Sequence, residues 1–121
     1  MKRRRILAAT FFALAAGRSV AALSAIEAAR IERLIQYIDA QRHLKFVRNG
    51  TAYSGTEAAR FLRAKFEKMG EHVTTAAQFI DQIASHSSTS SQAYLIRFAD
   101  GRTVPAAQFL GEELRRMDRQ P

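Results

Sequence analysis

No cysteine occurs among the 121 residues, which excludes disulfide staples and structural zinc sites of the thiolate type. The three histidines, His43, His72 and His86, show none of the short paired spacings that zinc prefers, so no metal and no other cofactor is expected. Catalytic signatures are scarce as well: neither a G-x-S-x-G elbow nor an S-x-x-K motif is present. The apolar run Ile6 to Ala16 falls well short of the about 20 residues a helix needs to span a bilayer. With no repeat and no internal linker, the chain reads as one small domain that must be held by its core alone.

What is present begins with charge. The formal net charge is +8 and the sequence pI is about 10.8, values that ordinarily suggest nucleic acid or an anionic surface as partner. Much of that charge precedes the apolar run. Lys2-Arg3-Arg4-Arg5, then Ile6 to Ala16, then a stretch rich in small residues from Gly17 to Ala25 form the tripartite layout of a secretory signal. Cleavage is expected after Ala22, with Ala21 and Ala25 as the alternatives, which divides the chain into a signal peptide, 1–22, and a mature domain, 23–121. Export to the periplasm without stable membrane insertion is the expectation. Setting aside Lys2, Arg3, Arg4, Arg5 and Arg18 leaves 14 of the 19 basic residues against 11 acidic ones, a net charge of +3. A nucleic-acid partner is no longer indicated, since the remaining basic residues alternate with Glu57, Glu67, Glu71, Glu112 and Glu113 as on an ordinary solvated face.

Periodicity and capping residues lay out the mature domain. Ile31, Leu34, Ile35 and Ile38 recur at helical spacing and predict a first helix over Ser24 to Gln41. Ser54-Gly55-Thr56-Glu57 is a capping box that opens a second helix, with Ala58, Phe61, Leu62, Phe66 and Met69 as its buried stripe and Gly70 at its end. Thr75 to Gln78 repeats the capping logic for a third, with Phe79, Ile80, Ile83 and Ala84 inward. Pro105 precedes a fourth over Ala106 to Asp118, with Leu110, Leu114 and Met117 aligned. Between the helices, Phe46 to Tyr53 and Tyr94 to Val104 read as two short β-hairpins around Asn49-Gly50 and Asp100-Gly101, dipeptides suited to type I′ turns. In the first, Arg48 should face Thr51 and Phe46 should pair with Tyr53. The fold class is α+β. The turn also accounts for Asn49-Gly50-Thr51, which matches an N-glycosylation acceptor.

The stretches FVRNGTAYSGTEAARFLRAKFE and TTAAQFIDQIASHSSTSSQAYLIRFADG resemble the YfeK-like family of small bacterial periplasmic proteins, a domain of unknown function, over roughly Ile31 to Leu114. The resemblance implies an exported single domain with no established reaction and no cofactor. Relatives often carry a cysteine in or near the hairpin, where this chain has Leu44 and Ser54, so no thiol chemistry carries over.

Two features stand out as candidate binding elements. Ser85-His86-Ser87-Ser88-Thr89-Ser90-Ser91 places hydroxyls beside an imidazole, but it follows the C-terminal end of the third helix, where the dipole repels anions; helix capping and loop closure account for most of it. Lys65, at about 100° per residue, falls inside the apolar arc of the second helix. Its ammonium should snorkel to a carbonyl or to a carboxylate such as Glu113, or else stand at the floor of a cleft beside Arg48 and Tyr53. The candidate binding residues are therefore Arg48, Asn49, Tyr53, Lys65, His86, Ser87, Ser88 and Tyr94, with no catalytic set assigned. Two functions fit: a non-catalytic module binding a protein or cell-envelope component, or a small envelope hydrolase with Lys65 or His86 as base.

Overall fold

A computed structural model of the chain describes residues 23–120; the expected signal peptide and its cleavage site lie outside them. Four helices, α1 (Ala25–Asp39), α2 (Gly55–Met69), α3 (Ala76–Gln82) and α4 (Ala106–Arg119), alternate with four strands, β1 (Leu44–Arg48), β2 (Thr51–Tyr53), β3 (Leu95–Phe98) and β4 (Thr103–Pro105). The expected α+β domain is thus observed. The two hairpins do not stand apart, however. β1 pairs with β3, so they fuse into one antiparallel sheet of order β2-β1-β3-β4.

Local chemistry starts each helix where the sequence places it. Ser24 caps α1 through the Glu27 amide, and the Ser54–Glu57 capping box closes in both directions. Thr75 caps α3 through the Gln78 amide, while the Gln78 side chain reaches back to the Thr74 amide rather than to Thr75. The Glu27 carboxylate accepts from Ala76 N at 2.7 Å, tying α1 to the start of α3. Arg30 ties α1 to Asp118 of α4, and Arg63 of α2 bonds Glu32 of α1.

Helix α1 is the central packing element, and α2, α3 and α4 all touch it. Ile31, Leu34, Ile35 and Ile38 are buried, as are Phe79, Ile80, Ile83 and Ala84 of the third helix and its C-terminal end. Strand alternation sends Leu44, Phe46 and Ile96 into the same core and leaves Lys45 and Arg97 exposed on the opposite face. Arg48 continues the Leu44–Phe46 row and points to the helical side. One member of the expected α2 stripe does not join the core. Met69, in the last turn, is half-exposed, and Ala59 is buried instead.

Both turns have positive-φ residues, but of different kinds. Asn49 (φ 49°) and Gly50 (φ 81°) form the expected two-residue type I′ turn, with Arg48 opposite Thr51 and Phe46 opposite Tyr53. The Phe46 ring nevertheless packs on Tyr94, at 5.2 Å between centroids, because Phe46 faces the core while Tyr53 stays partly exposed. Around Asp100-Gly101 the type I′ expectation is corrected. Only Gly101 (φ 92°) is left-handed, and its amide bonds the Phe98 carbonyl at 2.9 Å, as in a type I turn closed by a glycine bulge. The additional loop residue selects that geometry.

Gly50 has open space around it, so a Cβ there would meet no neighbour and only backbone strain would oppose a side chain. Gly50→Val should therefore lower stability by about 1–2 kcal/mol, read from the denaturation midpoint. An unchanged midpoint would refute the turn assignment.

Candidate functional site

Three segments converge at one end of the sheet. The β1–β2 hairpin supplies Arg48, α2 supplies Phe61, Ala64, Lys65, Lys68 and Met69, and the chain after α3 supplies Ser87, Ser88, Thr89 and Tyr94. Together they line an open cleft of about 360 Å³. A second cavity of about 230 Å³, reached by Tyr53, Glu57 and Arg60, lies on the other side of Arg48 and Phe61. The Arg48 guanidinium stands between the two, 4.1 Å from the centre of the Phe61 ring in cation–π contact.

Lys65 is 7% exposed, and its ammonium donates to the His86 carbonyl at 2.8 Å and to the Tyr94 hydroxyl at 3.0 Å. Of the partners expected for it, the carbonyl is realised and Glu113 is not: Glu113 is buried on α4 and holds Arg116 through two hydrogen bonds. No carboxylate pairs with Lys65, Arg48 or Lys68 among the described residues. Burial lowers the Lys65 pKa, and the nearby charge of Arg48 lowers it further. Burial raises that of Tyr94, opposed by Arg48, whose guanidinium approaches the same hydroxyl.

The serine tract is held by the hairpin turn. Asn49 Nδ2 donates to Ser87 Oγ at 3.3 Å, and Ser90 Oγ donates to Asn49 Oδ1 at 2.5 Å. Ser87 is buried, and its hydroxyl oxygen accepts from the Thr89 and Ser90 amides, a local turn that returns the chain to an isolated bridge between His86 and Ala93. Asn49 is thus both a turn residue and the bracket that fixes one wall of the cleft.

The structure separates the eight candidate residues by role. Arg48, Lys65, Ser87, Ser88 and Tyr94 share the cleft, Asn49 buttresses it, and Tyr53 opens on the second cavity. His86 contributes its backbone carbonyl to Lys65, while its imidazole meets Ser85, at 2.8 Å from Nδ1 to Oγ. That pair runs opposite to general-base activation. The single proton of the Ser85 hydroxyl goes to the Asp81 carbonyl at 2.5 Å, so Nδ1 is the donor to Ser85. Ser85 therefore meets the end of α3. Ser88 does not cap that helix; it is exposed, with its hydroxyl directed at Met69 Sδ. Phe61, Ala64, Lys68, Met69 and Thr89 were not among the sequence candidates. Phe61, Ala64, Lys65 and Lys68 follow i, i+3, i+4, i+7 spacing, which could have marked a helix face with a mixed apolar and cationic character.

Lys65 also bears on stability. Its native pKa lies below the usual lysine value near 10.5, so at neutral pH the fold holds a charge it would be easier to release. Lys65→Met keeps the methylene packing and removes that charge. We expect the variant to be at least as stable as the parent at pH 7, by up to about 1 kcal/mol. As pH rises through the native lysine pKa, the parent loses its proton while the unfolded chain still holds it. Parental stability then rises relative to the variant. Denaturation curves at pH 7 and pH 10 measure both effects, and a variant clearly less stable at pH 7 would contradict the assignment of Lys65 as a net cost to folding.

These features define a small single-domain α+β protein, with helices packed on one face of a four-stranded antiparallel sheet and a cation-lined cleft at the sheet's end. The chain belongs to the family of unknown function DUF5329, which it matches over residues 25–118. It is 39% identical over 72 residues to the uncharacterized protein YfeK of Salmonella typhimurium, a stretch that covers 60% of each protein. No solved structure matches.

Proposed function

We propose that the protein is an exported, non-catalytic binding module that engages a protein or cell-envelope component through the cleft between the Arg48 hairpin, α2 and the serine-rich loop. The observation that carries this reading is the buried Lys65, held in an open cleft by two neutral acceptors with Arg48 and Lys68 beside it and no carboxylate among its lining residues. A buried cation without a counter-charge costs stability, and ligand binding is a reason for a fold to retain it. The hydrolase alternative would need a base beside a nucleophile. Lys65 hydrogen-bonds to no serine among the described residues, and the Ser85–His86 pair has its proton on the wrong partner. Export rests on the order of basic, apolar and small-residue segments in residues 1–25.

Two measurements test this. The mature protein should begin near Leu23 and be released by osmotic shock; a cytoplasmic protein retaining Met1 would overturn export. A partner retained from envelope extract should be lost by the Arg48→Ala, Ser88→Ala double variant while its melting curve stays close to the parent's, because both side chains lie at the cleft and neither caps a helix. A double variant that is destabilised yet captures the same partner when folded would sink this surface as the binding site.

A further inference from the structure

Hydrogen-bond donors dominate the polar part of the cleft. Lys65 has three N–H groups and spends two, on the His86 carbonyl and the Tyr94 hydroxyl. Tyr94, 1% exposed, accepts from Lys65, and its own O–H is donated to no described residue. Arg48 stacks on Phe61 and has no carboxylate partner among the described residues, and Lys68 adds a further cation at the rim. Among the described residues, no Asp or Glu lines this cavity. Glu57, in the neighbouring cavity, is occupied with the Ser54 amide. A site whose buried donors outnumber its acceptors is complementary to a group that only accepts, and the shared positive charge makes that group an anion.

The remaining wall is apolar. Phe61 and Ala64 line it, and Met69, 50% exposed, leaves a large flexible thioether side chain at the mouth. A fully hydrated inorganic ion would leave that surface uncovered. A volume of about 360 Å³ is at the small end of ligand pockets and accommodates a headgroup with a short apolar body.

Building on the binding-module reading above, we infer that the cleft takes an amphiphilic oxyanion, with its phosphate or carboxylate head on Arg48, Lys65 and the Tyr94 hydroxyl and its apolar body against Phe61, Ala64 and Met69. The oxyanion receives the unspent donors and screens the repulsion between Arg48 and Lys65. Ser88 and Thr89 line the facing wall. Arg48, a planar fork already stacked on an aromatic ring, is suited to a two-oxygen head.

Calorimetric titration of the purified protein with octyl phosphate, octanoate, octanol and inorganic phosphate, each below its aggregation concentration, tests this. At least one anionic amphiphile should bind about tenfold or more tighter than both octanol and inorganic phosphate, and the stronger of the two assigns the head as phosphate or carboxylate. Arg48→Gln and Lys65→Met should each weaken that binding by about tenfold or more, and the Lys65 ammonium followed by NMR should titrate at higher pH in the complex. Octanol binding as tightly as the anions, inorganic phosphate binding as tightly as octyl phosphate, indifference to both substitutions, or no binding by any probe would each overturn the assignment. If envelope capture still depends on Arg48 while no probe binds, the oxyanion assignment falls and the binding-module reading stands. Octyl phosphate bound through Arg48 and Lys65 but cleaved to octanol would support the headgroup and overturn the non-catalytic reading.

Discussion

Gly55→Ala should lower the stability of the fold by about 3 kcal/mol and its Tm by more than about 10 °C, although alanine is ordinarily the better helix former. Gly55 is the first residue of α2, and it sits against the C-terminal end of α1. A Cβ at this position would fall 2.3 Å from the Ile38 carbonyl oxygen and 2.8 Å from that of Gln41. Both are backbone atoms, so no rotamer change relieves the overlap. Relief requires α2 to move off α1, which strains the Thr56–Asp39 hydrogen bond of 2.8 Å and the Ser54 capping box together. Gly50 offers a contrast, because there only φ opposes a side chain. Thermal and urea unfolding of Gly55→Ala measure the effect, and a loss below about 1 kcal/mol would mean that the two helices are not packed this closely.

The difference between those two glycines marks how far the sequence can be read. Asn49-Gly50 announces its turn, because a type I′ bend depends on two adjacent residues. Gly55 looks like an ordinary capping-box filler, and its reason, contact with carbonyls of residues 38 and 41, is non-local. The same division holds across the fold. Helix starts at Ser24, Ser54 and Thr75 were legible because a cap is a contact across three residues. The union of the hairpins was not, since the Phe46–Ile96 pairing joins strands with two helices between them in sequence and no local period encodes it. In the cleft, Lys65 was visible as a charge in an apolar arc, but its acceptors came from residues 86 and 94. Met69 was misplaced because helical periodicity extends the stripe past the point where the core ends. Ser87 and Ser88 could not be told apart in the sequence because neighbouring serines are alike in composition, and only the return of the loop to Asn49 decides which hydroxyl turns inward.

Truncating Tyr94 should be the most damaging change in the molecule, with Tyr94→Ala costing about 3–5 kcal/mol. The ring is fully buried and meets Phe46 at 5.2 Å and Phe61 edge-on at 5.7 Å, so its removal leaves a cavity where the sheet, α2 and the serine loop join. The backbone around it cannot easily collapse into that space. Tyr94 N bonds the Ser85 carbonyl at 2.9 Å, and its own carbonyl accepts from Ala106 N at 2.8 Å, fixing the position from both sides. Tyr94→Phe separates the ring from its hydroxyl. It keeps the packing, removes one acceptor from Lys65, and should cost about 1 kcal/mol. Chemical denaturation of the two variants beside the parent makes the comparison. Equal losses would show that the hydroxyl rather than the ring carries the stability, and a Tyr94→Ala protein within about 1 kcal/mol of the parent would overturn the placement of this side chain at the junction of core and cleft.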